Sequence, residues 1–417
     1  MTLVSHRVHM KNIRRLFAVA LVCAPTVAAA QSYVFVWAGG QGGSDFVATI
    51  DARPASATYG RVLASVPTGT TGTPHHTEHV IGPEGHLLAN DFHAGRTWLF
   101  DLSEPLRPRI LTSFGDVAGY SHPHTFIRMA NGHVLSTFQY LATPGGDAGS
   151  MPHMAQMPAN ITGGLVEMDE RGKPFLSGSA ADTTISDRML YPYSVLPIYA
   201  MNRAISTTTD MDHADTVATS QWVQLWRLSD LKLLRTIALP PGPRGDENQF
   251  TGEPRLLADG RSIYIHTFNC GLYLLKGVDG DRPVSTLVKV FEGTDCGVPI
   301  LAGHYWIQTV PAMHGLVVLD IADPEHPREV SRLDVGSDEK PHWISIDATG
   351  KRIVLTSARK GSRLFLIDFD PATGRASLDQ RFRDPGSDRA GISLAGPTWP
   401  SGSEGGVAPH GAVFSTK

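Results

Sequence analysis

Short apolar runs separated by polar turns dominate this chain, whereas the apolar spacing of an amphipathic helix is almost absent. No stretch keeps apolar residues at i, i+3, i+4 and i+7 for more than two turns. Pairs of apolar runs instead flank turns that contain Gly, Asp or Pro. The 42 Gly and 29 Pro residues among 417 agree with a chain that turns often. The pattern therefore predicts an all-β protein made of hairpins.

One hairpin unit recurs along the chain. Residues 97–112 read TWLFDLSEPLRPRILT and residues 316–333 read LVVLDIADPEHPREVSRL, so a strand, an Asp/Pro turn and a second strand follow at nearly the same spacing. Looser copies begin at Phe46, Gly164, Val223, Gly271 and Arg363. Together these segments predict seven outer hairpins.

A second set of hairpins lies between these units. His124 precedes the turn glycine Gly132 by eight residues, and His342 precedes Gly350 by eight. Similar segments place His76 nine residues before Gly85 and Glu253 seven residues before Gly260. Two hairpins per unit give four strands, and units that repeat every ~45 to 70 residues are typical of a β-propeller. We therefore predict a seven-bladed β-propeller with four-stranded blades.

The two ends of the chain are predicted to close the ring. The first apolar strand, residues 33–37, and the last, residues 407–414, both lack a hairpin partner of their own. Pairing them completes one blade from both termini and leaves no open edge at the closure. Residues 31–417 are accordingly expected to form a single propeller domain.

Residues 1–30 have the pattern of a signal peptide. Basic residues occupy positions 7, 11, 14 and 15, an apolar run follows from Leu16, and three alanines end at Ala30. The apolar run is too short to span a membrane, so we expect cleavage near Ala30 and a periplasmic or secreted protein. A net charge of −4 argues against nucleic acid or a membrane surface as a partner.

Two cysteines, Cys270 and Cys296, remain after the predicted cleavage. An oxidising compartment permits a disulfide between them, and two free thiols are the alternative. A role for Cys270 as a nucleophile or thiolate ligand, four residues after His266, also stays open, although no recognisable nucleophile motif surrounds it.

Histidines recur at the start of the predicted inner strands. Five Pro-His pairs occur where random adjacency predicts about 1.3, and four of them open an inner strand. Innermost strands line the channel of a propeller, so residues at their starts meet near one mouth. Convergent imidazoles bind copper, zinc, iron or nickel. The histidines at this position or next to it are His75, His76, His124, His342 and His410.

The remaining histidines have a less direct link to such a site. A Pro-His pair can also be an ordinary turn with a half-exposed ring, and His79 is expected to be solvated on a turn. His122, two residues before His124, is a candidate group at the channel mouth. His153 lies among the methionines of residues 151–157, where thioethers favour Cu(I), whereas Met in a loop can also simply fill space.

Several of these segments resemble the selenium-binding protein and methanethiol oxidase family. The adjacent His75 and His76 resemble the family's double histidine on an early inner strand. PHTFIRMANGHVLSTF, from Pro123, resembles its Pro-His-Thr segment, and PHWISIDATGKRIVLTS, from Pro341, resembles its Pro-His-Asp-Ile segment. Further strands match in the same order over most of residues 31–417, namely ITGGLVEMD from Ile161, NRAISTTTDM from Asn202 and PHGAVF from Pro409.

The resemblance implies a seven-bladed propeller and a copper-dependent activity. Bacterial enzymes of the family oxidise methanethiol with oxygen to formaldehyde, hydrogen sulfide and hydrogen peroxide, so a small thiol and oxygen would be the partners. The implied metal ligands are His75, His76, His124 and His410. His342 would line the same site, and we take His342 and His122 as the candidates for catalytic groups.

The chain also departs from the family pattern. The family continues its double histidine with a Gly-Trp-Asn segment and a nearby cysteine, whereas Thr77, Glu78 and His79 follow here. Trp343 follows His342 where the family tends to have Asp, and the cysteine implicated in selenium binding has no counterpart. Two hypotheses result: an exported copper-dependent oxidase of a small thiol, or a non-catalytic metal-binding or protein-binding propeller scaffold.

Overall fold

The described part of the chain is a seven-bladed β-propeller, which confirms the predicted fold. The computed structural model describes residue 1 and residues 33–416 except 42, 143–161, 186–189, 212–219, 281, 360 and 396–403. These residues form 29 strands in seven sheets, with 3₁₀ turns at Tyr199–Met201 and Pro311–Met313. The predicted signal peptide and the methionine-rich residues 151–157 lie outside the described residues. Within the described ranges, none of the helical segments has the length and apolar character of a membrane span.

Six blades each use four consecutive strands, which pair antiparallel from the channel outward. The first two are β4 (Pro74–Thr77), β5 (His86–Asp91), β6 (Arg96–Asp101), β7 (Arg109–Phe114), and β8 (Tyr120–Arg128), β9 (Val134–Leu141), β10 (Thr162–Met168), β11 (Pro174–Ser179). The next two are β12 (Pro192–Ile198), β13 (Arg203–Thr208), β14 (Trp222–Arg227), β15 (Lys232–Ala238), and β16 (Thr251–Leu256), β17 (Ile263–Thr267), β18 (Gly271–Lys276), β19 (Val284–Val290). The last two are β20 (Ile300–Ala302), β21 (Tyr305–Val310), β22 (Gly315–Asp320), β23 (Arg328–Asp334), and β24 (Trp343–Ile346), β25 (Arg352–Thr356), β26 (Arg363–Asp370), β27 (Arg375–Leu378). A short strand, β28 (Ile392–Ser393), also pairs with β26.

Both ends of the chain complete the remaining blade. The C-terminal strand β29 (Glu404–Phe414) is innermost and pairs antiparallel with β1 (Tyr33–Gln41), which continues into β2 (Phe46–Asp51) and β3 (Val62–Pro67). This pairing confirms the predicted ring closure. The innermost strands β29, β4, β8, β12 and β16 contact one another in sequence around the channel.

Apolar side chains of neighbouring blades pack into shared cores. Ile307 of β21, for example, lies in one cluster with Ile353 and Phe365 of the next blade. All six residues of β2 are buried, whereas the residues of the outermost strand β3 are half-buried or exposed. Burial therefore decreases outward, because inner strands are covered on both faces and each outermost strand is not.

Five innermost strands carry a β-bulge at the same place. Between Pro74 and Thr77 of β4, the partner strand β5 has one residue fewer, and the same shift occurs in β8, β12, β16 and β29. Bulges redirect side chains and are frequent next to functional sites. The two residues between the paired positions are His75 and His76, His124 and Thr125, Tyr193 and Ser194, Gly252 and Glu253, and His410 and Gly411.

A side chain on the second strand fixes four of these bulges. The side chain opposite each bulge accepts the backbone N–H of the second bulge residue, at 2.6 to 3.1 Å. The acceptors are Asn90 for His76, Thr137 for Thr125, Thr207 for Ser194, and His266 for Glu253. The ring of His266 therefore serves as a hydrogen-bond acceptor for the backbone of β16.

Candidate metal centre

Three of the predicted ligands lie close together, buried on the innermost strands β4 and β8. One ring nitrogen from each of His75, His76 and His124 lies within 4.8 Å of the others, and all three side chains are buried. A tetrahedral ion with metal–nitrogen bonds of about 2.05 Å separates its ligands by roughly 3.4 Å. To bind one ion, the nitrogens would therefore have to approach one another by up to about 1.4 Å.

The other two predicted histidines extend this group toward one side. The ring of His410 lies 4.4 Å from that of His75, and the ring of His342 lies 4.8 Å from that of His410, measured between centroids. Both His342 and His410 are only partly buried. The structure thus brings together all five histidines that the sequence placed at inner-strand starts, with His410 next to the buried three and His342 next to His410.

The hydrogen bonds of these rings leave nitrogen atoms free for a metal. Nδ1 of His124 donates to the backbone carbonyl of Tyr193 at 2.8 Å, so Nε2 carries the lone pair of the neutral ring. That Nε2 is buried, and it has no hydrogen-bond partner among the described residues. The same holds for Nδ1 of His75 and of His410. Buried polar atoms normally have partners, so these orphaned nitrogens fit a metal site.

Burial keeps the histidines neutral, which is the form that binds a metal. Loss of solvation lowers the pKa of His124 to about 4. Burial, and then repulsion by the positive charges that neighbouring histidines would carry, hold the pKa values of His75, His76 and His410 well below 6.5. Near neutral pH the cluster therefore needs to release no proton when a metal binds.

Two side chains that are not histidines flank His76. The Tyr193 hydroxyl lies 3.0 Å from Nε2 of His76, and the Tyr193 ring packs 4.1 Å from that of His124. Glu253 Oε1 lies 3.9 Å from Nδ1 of His76. Burial alone would raise the pKa of Glu253, but the charge of Arg255 and hydrogen bonds from Arg255 and Ser194 lower it to about 2. Sequence reasoning missed the role of Tyr193, although Pro192 precedes it as Pro precedes the histidines.

His79 is not the solvated turn residue that the sequence suggested. Its ring is half-buried and stacks on Trp343 at a centroid distance of 4.4 Å and an interplanar angle of 5°. Arg255 also donates from Nη2 to His79 Nε2 at 3.1 Å. His79 therefore belongs to the polar network around Glu253, and the expectation of solvation was wrong.

A cavity of about 470 Å³ opens beside the histidines. His75, His342 and His410 line it, so a ligand in the cavity would reach the cluster from this side. Aromatic side chains and a methionine supply much of the remaining wall, namely Tyr193, Phe250, Phe268 and Met211. The cavity thus offers an apolar surface next to neutral imidazoles, with Asp210 and Asp295 also in its lining.

His122 lies at the edge of the cluster. It is buried on β8 with a positive φ of 56°, and its ring packs against Phe92 and Tyr140. Phe92 also contacts the rings of His75 and His124, so His122 shares this neighbour with the candidate ligands. Its catalytic role stays a prediction.

Cys270 and Cys296 form a disulfide. The bond removes the alternatives of a thiol nucleophile and a thiolate ligand. Phe268 and Asn269 precede Cys270, and Thr294 and Asp295 precede Cys296; all four line the cavity. The disulfide therefore joins two segments of the cavity wall.

Comparison with known proteins finds similarity to two methanethiol oxidases in sequence and to a selenium-binding protein in fold. The chain is 24% identical over 355 residues, 79% of this chain and 76% of the relative, to a methanethiol oxidase from Hyphomicrobium sp.. A methanethiol oxidase from Ruegeria pomeroyi is 30% identical over 121 residues, 27% of this chain and 28% of the relative. The fold is that of a hypothetical selenium-binding protein from Sulfolobus tokodaii, with a TM-score of 0.70, 14% identity, and coverage of 93% of this chain and 94% of that chain.

No protein-family model matches the chain. The similarity to the Hyphomicrobium protein nevertheless extends over most of the chain, and the motifs that suggested the family lie on the innermost strands of the propeller. The resemblance to the selenium-binding protein and methanethiol oxidase family is thereby confirmed, at a sequence identity of 24%.

Proposed function

We propose that the protein is an exported, copper-dependent oxidase of a small thiol. His75, His76, His124 and His410 would hold the copper, and His342 would face the thiol in the cavity. The observation that carries the proposal is the buried cluster of His75, His76 and His124, whose ring nitrogens lie within 4.8 Å of one another. Relatives named methanethiol oxidase support the choice of substrate.

The chemistry of the donor set supports copper. Imidazole ligands suit copper, and copper supplies the electron transfer that thiol oxidation by oxygen requires. The protein would contribute neutral ligands, a fixed Nε2 on His124, and apolar walls that exclude water from the cavity. Met211, Phe250 and Phe268 would hold the organic part of the thiol against these walls.

Export is part of the proposal. Residues 1–30 have the composition of a signal peptide. The Cys270–Cys296 disulfide agrees with an oxidising compartment, since such bonds are rare in the cytosol. A periplasmic or secreted location would also give the enzyme direct access to a volatile thiol.

A metal-binding scaffold without catalysis is the second candidate. The segment after His76, where the family has Gly-Trp-Asn and a cysteine, is used here for a structural ion pair. Glu78 is buried and accepts from Arg128 Nε at 2.8 Å, and Arg128 also bonds Glu170. This departure favours a changed substrate pocket or a loss of activity.

Copper titration of the full chain tests the metal site. We expect one copper per chain by elemental analysis, and at least about tenfold weaker binding in His124→Ala, which removes a ligand. His326→Ala is the matched control, because His326 is an exposed histidine paired with Asp323. Wild-type protein that retains no copper, or equal loss in both variants, would refute the site.

Oxygen consumption with methanethiol then tests catalysis. Copper-loaded wild-type protein should consume oxygen when methanethiol is added, and His124→Ala should not. Copper-loaded protein without oxygen uptake would reject the oxidase and support the scaffold.

A further inference from the structure

The bulge of the inner strand β16 carries a carboxylate, whereas the bulges of β4, β8 and β29 carry histidines. Glu253 is the second bulge residue of β16, the position that His76 occupies in β4. Its exposed fraction is 2%. A carboxylate enclosed among imidazoles calls for a specific role, because burial of a charge is costly unless partners compensate it.

Hydrogen bonds satisfy one of the two carboxylate oxygens of Glu253. Oε2 accepts from Ser194 Oγ at 2.7 Å and from Arg255 Nη1 at 2.8 Å. Oε1 is buried, and no described residue donates a hydrogen bond to it. The 3.9 Å between Oε1 and Nδ1 of His76 is beyond hydrogen-bond distance but within reach of a small rotation of the ring. Ser194 and Arg255 thus hold the carboxylate with a free acceptor beside His76.

The position of the proton on the His76 ring is linked to its contact with Tyr193. The Tyr193 hydroxyl lies 3.0 Å from Nε2 of this ring. A phenol that donates to Nε2 leaves the proton of the neutral ring on Nδ1, the nitrogen nearer Glu253. In this tautomer a metal can replace the Tyr193 hydroxyl as the partner of the Nε2 lone pair. The Nδ1–H group then remains available to the carboxylate.

We propose that Glu253 is a positioning residue of the metal centre, which holds His76 in the Nδ1–H tautomer and offsets the charge of the metal that His76 binds. The proposal rests on the proposed copper site and adds a carboxylate to it. Metal-binding histidines commonly donate their second N–H to a carboxylate or carbonyl, and losing that partner weakens metal binding by about 10- to 100-fold.

The test compares Glu253→Gln with Glu339→Gln in the full chain. Glu339 is a matched control, because it is 3% exposed and also accepts from a serine and an arginine, Ser357 and Arg389. Competition with a chromophoric chelator should show Cu(I) binding about 10- to 100-fold weaker in Glu253→Gln and within about twofold of wild type in Glu339→Gln. The Cu(II) electron paramagnetic resonance spectrum should change in Glu253→Gln alone.

The outcomes distinguish a failure of the role proposed for Glu253 from a failure of the proposed metal site. An unchanged copper affinity and spectrum in Glu253→Gln would overturn the role of Glu253. Wild-type protein that binds no copper would instead refute the proposed metal site. If Glu253→Gln does not fold, Glu253→Asp replaces it, since it keeps the charge and withdraws the carboxylate by one methylene. Cu(I) binding at least about threefold weaker would then support the proposal, and unchanged binding would overturn it.

Discussion

Tyr193 acts on two candidate ligands through two different groups. Its backbone carbonyl accepts from His124 Nδ1 and leaves the Nε2 lone pair of that ring available. Its hydroxyl lies 3.0 Å from Nε2 of His76, the nitrogen that we expect to bind the metal. The backbone of Tyr193 therefore prepares one ligand, while its side chain competes with the metal for the other.

Replacing Tyr193 with Phe should tighten copper binding by up to about tenfold. The variant keeps the carbonyl and the ring but removes a competing hydrogen bond, whose net worth is about 0.5–1.5 kcal/mol. Chelator competition measures the change. Tyr264→Phe serves as control, because its hydroxyl bonds the Pro324 carbonyl outside the cluster. Weaker binding in Tyr193→Phe would mean that the hydroxyl supports the site and does not compete with the metal.

The sequence identified those members of the histidine cluster that a repeated dipeptide marks. The Pro-His pairs led to His75, His124, His342 and His410, which the fold does bring together. Tyr193 also follows a proline, but a single Pro-Tyr pair does not stand out from the background. The stacking of His79 on Trp343 joins two residues that are distant in sequence, so no local pattern could reveal it.

At the scale of elements, the hairpins were predictable and the bulges were not. Turn glycines such as Gly132 and Gly350 fall between β8 and β9 and between β24 and β25, as their spacing indicated. A bulge depends on how two strands pair, because one extra residue changes which side chains face the channel. The sequence placed Glu253 in the same slot as the histidines, but only the pairing of β16 with β17 puts it opposite His266 and beside His76.

Removing the disulfide should destabilise the fold substantially. Cys270 and Cys296 are 26 residues apart, and a loop of that size corresponds to about 3.5 kcal/mol of unfolding free energy in the chain-entropy treatment. Denaturant unfolding of a Cys270→Ser/Cys296→Ser double variant measures the loss. Wild-type protein unfolded in the presence of a reductant should show the same loss. An unchanged unfolding midpoint would contradict the expected contribution.

At the scale of the whole molecule, acid should destabilise the metal-free protein below pH 6.5. Burial lowers the pKa of His124 to about 4 and lowers those of His75, His76 and His410 well below 6.5. Histidines in the unfolded chain titrate near 6.5. The unfolded chain therefore binds more protons below this pH, so stability is full above it and falls as the pH drops. The shift of His124 alone corresponds to about 3 kcal/mol between pH 6.5 and about 4.

Urea unfolding of the metal-free protein between pH 7.5 and pH 4.5 measures this loss. The unfolding free energy should be nearly constant above pH 6.5 and should decrease below it. His124→Gln, which lacks one titrating ring, should show a shallower decrease. A pH-independent unfolding free energy over the whole range would contradict the buried, neutral cluster.

The pairing of β29 with β1 gives the proposed copper centre a place in the biosynthesis of the protein. β29 carries His410 and is the last of the described strands, whereas β4, which carries His75 and His76, is the fourth. A nascent chain therefore presents His75, His76 and His124 before it presents the strand that would complete the proposed site. Copper bound by all four histidines would then favour chains in which β29 has paired with β1 over chains in which it has not, and by mass action it would hold these two strands together.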